Sequence, residues 1–312
     1  MNKINKITIK NFTVFEDITI DFADGVNIFI GENGTGKTHL LKFMYAYLNK
    51  LSLHKVYGTK DTTELKRDRT YCDIEYAFNS DELKKITKYD VFCKSNSKPK
   101  AFFISAKDML THSKTITWLA REYSNTMAFD DTFVNVVHKA LNPNPDKIPQ
   151  IAKNITPKLE NIVGGKIFIE NEEFYIKRKD KKIRFSIVAE GLKKFGLLWQ
   201  LLMNESITKD TVLFWDEPEA NINPILIPEL VDILLELSRQ GVQLLISTHD
   251  YLFAKYVEVK MQESDNVAFH SLYPTDNGVK CETASKFDYL DNNSITNENV
   301  KLYEEEIKKV ME

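Results

Sequence analysis

Residues 25–38 read GVNIFIGENGTGKT. The first six are a dense apolar run, the pattern of a strand covered on both faces. The next eight, Gly31-Glu32-Asn33-Gly34-Thr35-Gly36-Lys37-Thr38, fit GxxxxGK[ST] completely, and a helical pattern follows from Lys37 to about Leu51. A strand, a glycine-rich loop and a helix in that order make a phosphate cradle. The glycines let the backbone wrap tightly and aim N–H groups at oxyanions, and the helix N-terminus adds positive potential. Lys37 supplies a point charge for the β- and γ-phosphates and Thr38 a hydroxyl for Mg²⁺. The nucleotide-facing positions are thus Gly31 through Thr38, with His39 directly behind them.

Two later segments complete the chemistry. Residues 211–218, TVLFWDEP, are an apolar strand ending in two carboxylates. A strand ending beside the phosphate loop puts Asp216 where it holds Mg²⁺, and Glu217 where it serves the attacking water as general base or polariser. A solvated turn would explain the two acids, but not the apolar run before them. Residues 243–250, QLLISTHD, repeat the geometry with His249 at the strand end, placed to sense the γ-phosphate. A lone histidine after a strand is ordinarily a surface residue; its order after the other two motifs gives this one its role. The catalytic set is Lys37, Glu217 and His249, and the metal set Thr38 and Asp216.

Around these motifs the chain alternates. Residues 6–11 and 15–22 have the period of half-buried strands, and 71–78, 89–94 and 101–105 read as further strands. Residues 52–70 are polar and read as loop or lid. Helical patterns cover about 114–123, 130–141 and 147–162, the last two separated by the prolines of LNPNPDKIP. Short strands are predicted at 166–170, 173–178 and 182–187, helices at 190–205, 224–239 and 250–257, a hairpin at Asp276-Asn277-Gly278, and a final amphipathic helix over 296–311. Buried strands alternating with helices predict an α/β fold with a parallel core sheet, an added antiparallel N-terminal sheet and an inserted α/β lobe. The division is one domain over 1–312, with 52–186 as the inserted lobe and 261–312 as a C-terminal hairpin plus helix.

Composition narrows the rest. The 312 residues are 43% hydrophobic, enough for a large core, and the net charge of -3 does not indicate nucleic acid. Cys72, Cys93 and Cys281 are isolated, as reduced thiols of a cytoplasmic protein are. The opening MNKINKITIKNF has no apolar h-region, and no run approaches the roughly 20 apolar residues that span a bilayer. His39, His54, His112, His138 and His270 show no metal-ligand spacing. Trp118, Trp199 and Trp215 lie on apolar faces and are expected in the core. The basic run 177–184 falls on a hairpin tip, where solvation and phosphate contact are both open.

The three motifs, their order and their flanks resemble the ABC-type ATPases of the RecF/SMC/OLD-like group, and more closely the bacterial AAA family ATPases of the AAA_15 and AAA_21 kind. IKNFTVFEDITIDF looks like the opening strand pair of that group, and DEPEANINP resembles its DEPExxLHP; SAKDML after AFFI is also similar. The resemblance implies ATP and Mg²⁺ as cofactors and a homodimer that sandwiches ATP, each nucleotide facing the partner's signature segment. That segment aligns with Ala189-Glu190-Gly191-Leu192-Lys193-Lys194, at a predicted helix start. It departs from LSGGQ: Ala189 stands where the phosphate-binding serine would be, leaving backbone N–H groups, Gly191 and Lys193. Asn221 and Asn223 fall in the D-loop. The Q-loop position has no glutamine, with Ser105, Lys107 or Asp108 as substitutes, and Thr13 replaces an arginine usual after the first NF.

What the resemblance implies for function is a slow ATPase that dimerises around ATP and signals to a separate effector, a nuclease or toxin, in a bacterial defence system. The alternative is a RecF-like DNA-binding repair ATPase. A transporter subunit is disfavoured by the missing Q-loop glutamine and the altered signature.

Overall fold

The computed structural model describes residues 3–49, 51, 53–58, 73–78, 83–87, 99–122 and 130–311. The chain opens with β1 (Ile4–Phe12) and β2 (Phe15–Asp21), antiparallel partners, then β3 (Val26–Ile30) and α1 (Lys37–Asn49). A short helix, α2 (Leu53–Tyr57), occupies part of the stretch expected as loop; Leu53 and Val56 are buried, and that apolar pair fixes it. β4 (Asp73–Phe78) and β5 (Leu83–Thr87) follow, and β4 pairs with β1, so the N-terminal sheet runs β2-β1-β4-β5. The strand expected over 89–94 lies outside the described residues, as do Cys72 and Cys93.

β6 (Lys100–Ile104) leads to α3 (Ser113–Glu122), α4 (Asp131–Ala140) and α5 (Thr156–Val163), then the small sheet of β7 (Lys166–Glu170), β8 (Glu173–Arg178) and β9 (Lys181–Arg184). α6 (Glu190–Met203), β10 (Thr211–Asp216), α7 (Ile227–Arg239), β11 (Gln243–Ser247) and α8 (Tyr251–Lys260) come next. The hairpin β12 (Val267–Thr275) and β13 (Gly278–Ala284) and the helix α9 (Ser294–Met311) complete the order. The core sheet runs β13-β12-β3-β11-β10-β6, parallel except for the β12–β13 hairpin. A segment expected in the inserted lobe therefore belongs to the core sheet. β6 lies within 52–186 yet forms one sheet edge beside β10, and the C-terminal hairpin extends the other edge beside β3.

The apolar runs of the core strands are buried on both faces because the sheet is covered on both. Ile28, Leu213, Trp215, Leu244 and Ile246 face one cluster with α6, α7 and α8. Phe29, Phe103, Val212, Phe214 and Leu245 face the other, with α1 and the N-terminal sheet. Each such side chain contributes about 1.5–3 kcal/mol relative to exposure. Trp199 and Trp215 are buried as expected, but Trp118 is 53% exposed. The inward positions of α3 are Ser113, Ile116 and Thr117, and Trp118 follows them round the helix to the outer side. No helix among the described residues is long and apolar enough to cross a membrane. α9 has no buried residue.

Candidate nucleotide site

The loop between β3 and α1 takes its shape from its glycines. Gly36 has φ +89, and a Cβ there would lie 2.7 Å from both Phe15 Cζ and Val14 Cγ2. Those two side chains belong to the strand pair of the N-terminal sheet and its turn, so that sheet walls the loop. Gly34, at φ +83, would meet nothing within 4 Å and is the open point of the cradle. Lys37 is buried, and its Nζ donates to the carbonyls of Gly31 at 2.7 Å and Glu32 at 2.9 Å. Burial lowers its pKa, against the opposing pull of Glu217 and Asp216.

Asp216 reaches the same loop from the end of β10. Thr38 Oγ1 donates to its carboxylate oxygens at 2.9 and 3.0 Å. Ser247, the last residue of β11, also donates to Asp216. The parallel pairing of β10 with β11 sets Asp216 opposite Ser247, and the Glu217 N–H donates to the Ser247 carbonyl at 2.9 Å. Glu217 turns the chain out of the sheet at φ +47. Its Oε1 is 3.1 Å from Nδ1 of His249, which leaves the neighbouring strand end. Lys37, Thr38, Asp216, Glu217 and His249 are thus held together by adjacent parallel strands and one helix start. His39 lies on the exposed side of α1, its ring edge-on to Tyr57 with centroids 5.2 Å apart.

The other predicted positions sort differently. Ala189 is the N-cap of α6 and makes no side-chain cap bond, as an alanine must. Gly191 packs on the turn after β10: a Cβ there would stand 2.7 Å from the Asn221 carbonyl oxygen and 2.9 Å from Ile222 Cα. Asn221 has φ +63, and Asn223 caps the following 3₁₀ turn by accepting from the Ile225 N–H. Lys193, expected to be available at the signature, is only 4% exposed. Its Nζ is 2.7 Å from Glu190 and 3.4 Å from Asp108, which hold the ammonium inward. Asp108 in turn accepts from the N–H groups of Leu110 and Thr111, Ser105 donates to the Lys107 carbonyl, and Lys107 is exposed. Among the Q-loop substitutes, Asp108 is committed to this turn and to Lys193. Thr13 sits at φ +51 in the β1–β2 turn, its Oγ1 buried and without a hydrogen-bond partner.

Sequence reasoning gave no role to Lys194 or Glu219. Lys194 is buried, and its Nζ donates to the carbonyls of Glu217 at 2.7 Å and Pro218 at 3.2 Å. Burial lowers its pKa to about 8. Glu219 is buried as well, accepts from Thr248 Oγ1 at 2.5 Å, and is pushed up to about 7 by burial. The available signal was the second glutamate of DEPE, just past the end of β10.

A magnesium nucleotide fits these residues. The donors that Thr38, Asp216 and Ser247 bring together are all oxygens, as a hard divalent cation takes them. The ammonium of Lys37 is on the loop, and the cradle is open at Gly34.

Comparison with known proteins agrees with this geometry. The family AAA_15, described as an AAA ATPase domain, matches residues 2–195. The DNA replication and repair protein RecF of Bacillus cytotoxicus is 38% identical over 73 residues, 23% of this chain and 18% of RecF. The chain thus spans about a fifth of the length of the curated relatives it matches. Over its whole length it is similar to the Smc head domain of Pyrococcus furiosus solved with the C-terminal domain of ScpA: TM-score 0.59, 12% identity, 98% of this chain and 99% of that one. A second Smc head, bound to the C-winged helix domain of ScpA, gives a TM-score of 0.57 at 14% identity, over 92% and 99% of the two chains.

Proposed function

The chain belongs to the AAA_15 family of AAA ATPase domains, and from that premise we propose that it is a slow, ATP-gated switch that closes as a homodimer and signals to a separate effector. The observation that carries the reading is the contact of Thr38 with Asp216, 178 residues apart in sequence, at the mouth of the glycine loop.

Thr38 and Asp216 would hold Mg²⁺, and the N–H groups of residues 31–38 with Lys37 would hold the phosphates. Bound Mg²⁺ supplies charge neutralisation for the β- and γ-phosphates. Glu217 orients the attacking water and accepts its proton, and the His249 ring, 3.1 Å from Glu217, keeps that carboxylate in place and senses the γ-phosphate. Most of the work is positioning and charge stabilisation, so few groups suffice. Across the dimer, each nucleotide would face the start of the partner's α6. With Ala189 lacking a hydroxyl and Lys193 paired inward, the backbone N–H groups at Glu190 and Gly191 carry that contact. A clamp with no side-chain donor fits slow turnover.

An effector reading the closed state is in keeping with the Smc heads solved with ScpA domains; here the effector would be a nuclease or toxin of a bacterial defence system. The RecF relatives favour a second reading, ATP-dependent DNA binding, for which the exposed β8–β9 tip at 177–184 is the contact candidate.

Sedimentation of the Glu217→Gln variant with and without Mg-ATP tests the gate: the reading expects a dimer only with nucleotide, and a monomer at saturating ATP defeats it. Duplex DNA in the same cell separates the two readings, because salt-sensitive, ATP-dependent co-sedimentation belongs to the second alone.

A further inference from the structure

Lys194 lies in the first turns of α6 but points back into its own domain. Its two acceptors, the Glu217 and Pro218 carbonyls, lie in the turn that leaves β10. Glu217 holds φ +47 in that turn, a conformation that a residue other than glycine keeps only when its surroundings impose it. Glu219, at the far end of the turn, is 7% exposed. One of its oxygens accepts from Thr248, and the other, Oε2, is buried without a hydrogen-bond partner. Thr248 precedes His249, and its Oγ1 also accepts from the Asp250 N–H at 3.0 Å, so its hydroxyl shapes the loop that carries the histidine. Lys194 and Glu219 each lie in the other's field, the carboxylate opposing the loss of the proton that burial favours at the ammonium. Two apolar side chains would fill this space without the desolvation cost of an ammonium and a carboxyl. What the ammonium adds is a donor aimed at two turn carbonyls, and what the carboxyl adds is an anchor for Thr248.

We propose that Lys194 and Glu219 are positioning residues for hydrolysis: Lys194 holds the turn that aims Glu217, and Glu219, through Thr248, fastens the loop of His249 to that same turn. This rests on the reading of Glu217 as the hydrolytic carboxylate. Lys194 rides on α6, so the aim of Glu217 depends on where the start of that helix sits. The helix proposed to face the partner's nucleotide is thereby tied to the catalytic turn of its own protomer.

The test is steady-state ATP hydrolysis, with ATP affinity and thermal stability measured on the same full-length variants. Lys194→Met is expected to lower kcat by about 100-fold, the loss that a displacement of about 1 Å brings, with KM and ATP affinity near wild type. That split marks an interaction used only in the transition state. Lys194→Arg, whose fork reaches both carbonyls, should recover most of the rate. Glu219→Gln, which keeps an acceptor for Thr248, should stay active, and Glu219→Ala should fall with Lys194→Met. Unchanged kcat in Lys194→Met, a loss expressed in KM alone, or an arginine variant no better than methionine would each overturn the proposal. If Lys194→Met does not fold, the Glu219 pair decides: a kcat for Glu219→Ala equal to that of an active Glu219→Gln would overturn the proposal. Glu217→Gln runs alongside: hydrolysis surviving there removes the underlying reading, whereas an inactive Glu217→Gln beside a fully active Lys194→Met removes only this inference.

Discussion

Gly34 and Gly36 impose the same backbone demand in opposite surroundings, so alanine at each position separates strain from space. Both have positive φ, +83 and +89. Alanine at 34 meets nothing within 4 Å and costs the strained conformation alone, about 1–3 kcal/mol. Alanine at 36 adds a methyl group 2.7 Å from the Phe15 ring and from the Val14 methyl. Phe15 is fully buried and cannot step aside. Overpacking of that kind adds about 1–3 kcal/mol, so Gly36→Ala should lose about 2–6 kcal/mol in all. Urea unfolding followed by the fluorescence of buried Trp199 and Trp215 measures both variants on one scale. Gly36→Ala should have the clearly lower midpoint at an unchanged slope. Binding of a fluorescent ATP analogue should weaken in Gly34→Ala, which strains the loop that holds the phosphates, although its loss of stability is the smaller of the two. Equal midpoints for the two variants would refute the claim that the N-terminal sheet walls the loop.

His270 is buried between Asn27 and Thr283, and burial holds its pKa down at about 3 from an ordinary 6.5. Between those values the unfolded chain binds the proton and the native chain does not. Stability is therefore fully present above pH 6.5 and is lost as pH falls towards 3, at up to about 1.4 kcal/mol per pH unit. His270→Gln should flatten that slope in denaturation curves taken at neutral and mildly acid pH, and parallel slopes would contradict the assignment. Lys193→Met leaves the half-buried carboxylate of Asp108 without its ammonium. It should cost about 3 kcal/mol, the low end for a broken buried pair, because Asp108 keeps its local N–H donors. A stable Lys193→Met protein that has lost ATP-dependent dimerisation would instead restore Lys193 to the signature contact.

What could be read from the sequence was what is local. The glycine loop, the acids after TVLFW and the histidine after QLLIS are each a strand with its exit, and the core strands are dense in apolar residues because helices or a second sheet cover both faces. Sheet membership was not local. AFFI at 101–104 has the composition of any buried strand, and only its pairing with β10 makes it a core edge. Likewise β4 pairs with a strand more than sixty residues earlier, and no residue within it encodes that choice. The fate of the lysines was equally hidden. Lys193 and Lys194 are consecutive in a stretch read as a surface signature, but Asp108, Glu217 and Pro218 draw both inward from elements far away in sequence. Trp118 erred the other way: its apolar neighbours suggested a core position, but α3 buries Ile116 and Thr117 instead.

The most direct test is single-turnover hydrolysis of ATP by Glu217→Gln under conditions where binding is measured in the same sample. The carboxylate beside His249 at the β10 exit predicts ATP affinity close to wild type and a hydrolysis rate lower by at least about 100-fold, the usual contribution of a general base. Undiminished turnover with ATP bound would contradict the account, since no role would then remain for the acid that this fold brings beside the glycine loop.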